Sequence, residues 1–370
     1  MRIAILVSTG LDPDLQGKIK ADLHPQQDFL ALAEALGARL ITPLDASPGS
    51  LGKSSRALNI FRLAGAAFRQ SADYDLIISD TDRAGLTLAA LFKLTGTRKR
   101  HVLICHGKIT QPREFQLLRA LNLQQYIDCF VCYGPAVAGA LKEGLGLPST
   151  RVVTMRHAVD HHFWRPMPAP VENLVVSAGM YRRDYACLVE AVRGQNVSLA
   201  IAAHSPWVSG QNTGITVTAL PPNVSLTRCS YAQLRDLYAR ALCVAVPLTS
   251  SVSQSGSLVT YEAMSVGKPV LVTRTEGQDG MGLVREGETG FYLAPGDVLG
   301  WRSRLNYLLA HPQVAIGMGR RARELVEGGM NLDSYVRQMV AVVQAVASEE
   351  QPPGRRRIEA ADRSARPVKV

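Results

Sequence analysis

The chain has 370 residues, too many for one ordinary core and enough for two domains. Its 46% hydrophobic, 19% charged and 6% aromatic residues are a globular composition and exclude disordered and fibrous classes. The formal charge of +10 is uneven: residues 1–165 carry 20 basic and 14 acidic groups, residues 166–350 carry 15 of each, and the last twenty carry six and two. No window holds 18 uninterrupted apolar residues, so no spanning helix is expected. The opening MRIAILVSTG lacks the flanks of a signal peptide. Six scattered cysteines then predict reduced thiols and a cytoplasmic protein.

Short apolar runs recur at Ile3–Val7, Leu40–Thr42, Leu76–Ser79, His101–Cys105, Cys129–Tyr133 and Val152–Met155. Helical patterns such as Asp28–Leu36 and Ala84–Leu94 lie between them. Short strands separated by helices predict βαβ units and a parallel sheet buried on both faces. The prolines of RPMPAPVEN (Pro166, Pro168 and Pro170) continue neither a helix nor a central strand and mark a linker. The rhythm restarts at Leu174–Ser177, Ser198–Ala202, Ile215–Thr218, Leu242–Val246, Val270–Thr273 and Gly290–Leu293. Helices are predicted at Tyr185–Arg193, Ala232–Ala241, Val259–Val266, Val298–Leu309, Gly317–Glu327 and Ser334–Ala347.

The expected fold is therefore α/β, with two tandem Rossmann-like domains facing an interdomain cleft. Residues 1–165 form the first domain and residues 171–332 the second. Residues 333–350 form a C-terminal helix able to pack back on the first domain. Residues 351–370, basic and proline-containing, are expected to be disordered. Ligands of such sheets sit at the carboxyl ends of the strands.

Several motifs are weighed against plainer readings. GxGxxG is absent after the first strand and GxxxxGK[ST] is absent altogether, which disfavours dinucleotide enzymes and P-loop NTPases. Asp80-Thr81-Asp82 has the form of a metal-holding carboxylate pair, but a helix cap or polar loop is the commoner use of Asp there. Cys129 and Cys132 sit inside a strand with their thiols on opposite faces. They are read as structural, and His157, His161 and His162 as ordinary loop histidines without a ligand cluster at zinc spacing. No metal site is assigned.

Gln254–Pro269, QSGSLVTYEAMSVGKP, is the most informative segment. A small, glycine-containing loop leads into a helix whose N-terminus offers N–H groups and a positive dipole end to a diphosphate. Glu262 lies one to two turns inside and could accept hydrogen bonds from vicinal ribose hydroxyls. The segment resembles the EGFGLxxxEAMAxGxPV signature of retaining GT-B glycosyltransferases of family 4 (glycosyl transferases group 1). SAGMYRRDYACLVEAV, AQLRDLYARALCVAVPL, EGETGFYLAPGD and HAVDHHFWRP resemble further segments of that family in the same order. The likeness covers the second domain almost continuously, and the first through its layout and final motif.

The resemblance implies a glycosyltransferase that moves a sugar from a nucleotide diphosphate donor to a glycan, lipid-linked or small-molecule acceptor, with retention and without a metal or other cofactor. Glu262 matches the second signature glutamate, the ribose ligand. Gln254 replaces the first, keeping hydrogen bonding but losing charge. Gly179, Arg182 and Arg183 match the glycine–basic loop that reaches the donor phosphates, with the individual arginine left open. Ser257 and Leu258 occupy the positions whose amides meet the β-phosphate, and His106 matches a histidine facing the donor sugar. The alternatives are a GT-B-shaped nucleotide-sugar epimerase and, because of Gln254, a non-catalytic nucleotide-sugar-binding module.

The partners follow from charge and resemblance together: nucleotide sugar, an acceptor, and an anionic membrane surface rather than nucleic acid. Residues 46–72 contain no acidic group. On a helix Ile60, Phe61, Ala64 and Phe68 share one face opposite Arg62 and Arg69. That face serves either as a membrane-surface anchor or as ordinary packing on the sheet.

Overall fold

In the computed structural model the described residues are 1–10, 12–46, 56–203, 220–249, 255–276, 282 and 284–348. Gln254, Lys53, the expected strand Ile215–Thr218 and the basic tail lie outside them.

The first sheet contains β1 (Ile3–Leu6), β2 (Arg39–Ile41), β3 (Leu76–Ser79), β4 (Arg100–Cys105), β5 (Cys129–Tyr133) and β6 (Val152–Met155). All pairs are parallel, in the order β2-β1-β3-β4-β5-β6. The helices joining them are α1 (Leu15–Lys20), α2 (Asp28–Leu36), α3 (Pro43–Ala46), α4 (Arg56–Gln70), α5 (Asp82–Thr95), α6 (Pro112–Ala120) and α7 (Pro135–Leu145). β1, β3 and β5 are buried throughout, as continuous apolar runs must be when helices cover both faces. Cys129 packs on one side of the sheet and Cys132 on the other. All six cysteines are free thiols.

The second sheet contains β7 (Leu174–Ala178), β8 (Ser198–Ala202), β9 (Val224–Leu226), β10 (Cys243–Val246), β11 (Val270–Thr273) and β12 (Gly290–Leu293). Its order is β12-β11-β10-β7-β8-β9, again all parallel. Its helices are α8 (Tyr185–Val192), α9 (Tyr231–Arg240), α10 (Ser257–Ser265), α11 (Val298–Ala310) and α12 (Pro312–Glu327). A last helix, α13 (Leu332–Ser348), leaves this domain and buries Leu332, Tyr335, Met339, Val343 and Val346 in the core of the first. Conversely, Phe163 and Trp164 pack into the core of the second domain. These large aromatic rings find their apolar surroundings across the crossing, just ahead of the expected boundary at 165.

α4 packs Leu63, Ala64 and Ala67 into the core, with Ile60 and Phe68 against them. Phe61, expected on the same stripe, is 57% exposed. The apolar face is thus largely sheet packing, with Phe61 rotated out of it beside the 42%-exposed Leu58. Among the described residues no helix is long and apolar enough to cross a membrane.

Candidate active site

Each sheet reverses its strand order once, at β1/β3 and at β7/β10. Crevices for ligands open at the carboxyl ends of strands at such points. In the second domain β7 ends in Ala178 and the chain turns at Gly179, whose φ is +90°. A Cβ there would lie 2.6 Å from Nη2 of Arg183, so glycine is required both for the backbone and for the guanidinium beneath it. Arg183 is 9% exposed and donates Nε to the Ala178 carbonyl and Nη1 to the Tyr181 carbonyl, both at 2.9 Å. Arg182 is exposed, with a left-handed φ of +57°. The sequence left the two arginines equivalent; the fold makes one a buried charge and the other a strained surface residue.

This loop is tied to the turn after β10. Thr249 N–H donates to the Arg182 carbonyl at 3.0 Å and Asp184 N–H to the Pro247 carbonyl at 3.1 Å. The same turn leads toward α10, which opens at Gly256 with φ +84°. A Cβ at Gly256 would meet Val246 Cγ1 at 2.6 Å, so only glycine brings the helix start this close to β10. Ser257 is buried and Leu258 exposed at that start, and the first turn of a helix leaves N–H groups for outside partners. Further in, burial pushes the Glu262 carboxyl up to about 8, with the Arg183 charge pulling the other way. Gly179, Arg183, Ser257, Leu258 and Glu262 therefore gather around one switch point, with Arg182 at its exposed edge.

The first domain contributes a second polar group. His106 follows β4, and its Nε2 lies 2.9 Å from Asp80 Oδ1, after β3. Burial lowers the His106 pKa, but the Asp80 hydrogen bond and the charges of Asp80, Asp82 and Asp28 outweigh it and push the ring up to about 9. Asp82 is 2% exposed and accepts the His106 N–H at 3.1 Å and the Lys108 N–H at 3.3 Å. The pair Asp80–Asp82 thus makes no side-chain helix cap. One carboxylate braces the loop after β4 and the other holds the imidazolium.

Sequence reasoning missed the rest of this group. Burial and the Asp80 charge push Asp28, at the start of α2, up to about 6. His157 stacks on Tyr133 with centroids 3.9 Å apart, and burial together with the His106 charge holds it down at about 3. The Tyr133 hydroxyl donates to that of Tyr335 at 3.3 Å. A cavity of about 250 Å³ lies here, lined by Pro135, Arg156, His157, Asn331, Tyr335 and Gln338 among others. These residues come from distant segments. The one local signal was a polar or aromatic residue ending a strand, as at Tyr133.

Two parallel Rossmann-like domains joined by a crossing linker and a returning helix define the GT-B class of fold. Solved structures of that class match nearly the whole chain. Sucrose-phosphate synthase from Thermosynechococcus elongatus aligns with TM-score 0.70 and 18% identity, over 94% of this chain and 99% of that one. Anabaena HepE in complex with UDP-glucose aligns with TM-score 0.66 and 18% identity, over 93% of this chain and 100% of that one. Within the second domain, residues 183–311 match the family model for glycosyl transferases group 1. A curated D-inositol 3-phosphate glycosyltransferase from Gordonia bronchialis is 37% identical over 204 residues, 52% of this chain. The match spans 40% of that relative's length.

Proposed function

We propose that the chain is a glycosyltransferase that moves a sugar from a nucleoside diphosphate donor to a hydroxyl-bearing acceptor, with retention of configuration. The observation that carries this reading is the convergence of Arg183, Glu262 and the glycine-led start of α10 at the β7/β10 switch point, inside the group 1 domain. Departure of a nucleoside diphosphate develops negative charge on its phosphates. A helix N-terminus and fixed cations placed there stabilise that charge, an effect of several kcal/mol in preorganised sites. Glu262 then receives the ribose hydroxyls, and the amides of Ser257 and Leu258 the β-phosphate. The UDP-glucose complex of HepE supports a sugar nucleotide as donor.

His106, held as an imidazolium by Asp80, supplies a further positive group on the opposite domain, toward the donor sugar. Because these groups supply the electrophile, the transfer itself runs without a metal. The acceptor is a glycan, a lipid-linked molecule or another small molecule. The first domain presents it, in the cytoplasm, by reversible contact with an anionic membrane surface.

The test is a thermal-shift and product screen with UDP, GDP, ADP and their sugars, since ligands of the native state raise its apparent stability. Stabilisation by one nucleoside diphosphate, with transfer to an added acceptor or slow donor hydrolysis, supports the proposal. Epimerised sugar without transfer supports the epimerase. Binding with neither product supports the non-catalytic module, and no stabilisation by any of them rejects all three.

A further inference from the structure

Two stretches of chain cross between the domains, the segment after β6 and the segment before α13, and they meet at side chains the donor site does not use. Asp160 orders the first crossing. Its Oδ1 accepts the N–H groups of His162 and Phe163, both at 3.1 Å, and its Oδ2 accepts that of Gln26 at 2.7 Å. The resulting turn sets the rings of His161 and His162 together, centroids 4.0 Å apart. The second crossing brings Asp333, in the first turn of α13, to the same place. His162 Nε2 and Asp333 Oδ2 are 3.3 Å apart. One ligand atom from each of the three residues falls within 4.8 Å of the others.

From this we infer that His161, His162 and Asp333 form a site for a divalent transition ion of the zinc class, which ties the two crossings together. Two imidazoles and one carboxylate suit such an ion better than magnesium or calcium, which prefer oxygen donors. Ligand bonds of about 2.0–2.1 Å in a tetrahedron put neighbouring donor atoms about 3.3 Å apart, which is the His162–Asp333 separation. His161 Nδ1 is buried and finds no hydrogen-bond partner among the described residues, so one imidazole still has bonding capacity. The side chains of His162 and Asp333 are 74% and 51% exposed, leaving room for water to complete the shell.

Two cations beside the site are directed elsewhere: Arg165 donates Nη1 to the His162 carbonyl at 2.9 Å and pairs with Asp22. Arg323 donates Nη1 to the carbonyls of His161, Trp164 and Ser265 and pairs through Nε with Glu327. The sequence hid the site because Asp333 stands 171 residues from His162, far outside any zinc-ligand spacing.

The test uses untagged, full-length protein freed of metal by chelator, titrated with zinc chloride by calorimetry and assayed for bound zinc after gel filtration. One zinc per chain and a higher melting temperature are expected. His162→Ala and Asp333→Asn should each weaken binding by at least about tenfold, a loss seen even when an outer partner of a metal ligand is removed. Both side chains are exposed, so the metal-free variants should melt with the parent. Cys229→Ser, changing the only half-buried cysteine, should bind zinc like the parent. Absence of stoichiometric binding, or unchanged affinity in both His162→Ala and Asp333→Asn, overturns the site. None of these readouts depends on sugar transfer.

Discussion

Glu262 experiences burial and a nearby guanidinium at the same time, and burial prevails, raising its pKa from 4.5 to about 8. A carboxyl raised this way holds its proton more tightly in the folded state, so between pH 4.5 and 8 it makes the empty protein less stable as pH rises. If ribose hydroxyls bond to the carboxylate, nucleoside diphosphate affinity should climb toward pH 8, by up to about tenfold per unit from this group. Calorimetry with UDP from pH 6 to 9 should show the climb, and Glu262→Gln should lose it. The variant is the proper reference, because titration of the diphosphate itself affects both proteins equally. Glu262→Ala should cost about 1.5–3 kcal/mol, one to two decades in affinity. Equal affinities for parent and alanine variant would remove Glu262 from the donor site.

The arginines separate at the same scale. Arg182 holds a backbone conformation that costs a non-glycine residue on the order of 1–3 kcal/mol. Arg182→Gly should therefore be at least as stable as the parent, yet lose more than about tenfold in turnover if the guanidinium meets the diphosphate. Arg183→Ala should lose both stability and turnover, since it leaves the Ala178 and Tyr181 carbonyls without their donor. A glycine variant at 182 with native turnover would make that residue a solvated turn and leave the phosphates to Arg183 and α10.

At the scale of elements, α4 shows what periodicity conveys and what it conceals. Its stripe was legible as apolar, but not as split between Leu63, Ala64 and Ala67 inside and Leu58 and Phe61 outside. That division depends on where the sheet lies. The exposed pair stands on the same helix as Arg69 in the acid-free stretch, and a basic residue near an anionic leaflet adds about 1 kcal/mol. Co-sedimentation with anionic vesicles should therefore be nearly equal for the full chain and a form ending at Glu350. It should fall sharply for Phe61→Ser combined with Arg69→Glu. Loss on truncation alone would assign the anchor to the tail.

The buried strands were read to within a residue or two, because apolar runs between helices have few other uses. β9 was not read, since two of its three residues are exposed and no run forms. α6 and α7 carry Pro112 and Pro135 at their starts, where a proline in the first turn suits a helix. Of the candidate site, the loop–helix signature was local and legible. The Asp28, Tyr133, His157 and Tyr335 group was not, because it exists only once the sheet and the returning α13 bring distant segments together.

The whole molecule depends on how two domains joined by two crossings are held at a fixed relation. Apart from the crossings themselves, an ionic junction does this. Asp22, in the first domain, pairs with Arg165 of the linker at 2.7 Å and with Arg235 of α9 at 2.9 Å. Arg235 is 5% exposed, donates to the Phe163 carbonyl at 3.0 Å and lies over the Phe163 ring. Hydrogen bonds from Arg165 and then Arg235 hold the Asp22 carboxyl well below the usual range. A depressed carboxyl contributes stability above its unfolded pKa, near 3.9, and loses it only as pH falls through the lower folded value. The junction therefore persists through the neutral range, and ordinary pH changes do not open it. Asp22→Asn keeps the shape and tolerates the left-handed φ of +58°, but it removes the charge facing a buried guanidinium. The expected cost is about 1–2 kcal/mol, less than for a fully buried pair because the Asp22 side chain is 44% exposed. Binding of donor to the isolated second-domain site should barely change. The KM for the acceptor should rise, since acceptor and donor must be held across the cleft. Denaturant unfolding together with separate KM values for donor and acceptor checks this. A variant with native stability and both KM values unchanged would show that α13 and the linker alone hold the domains.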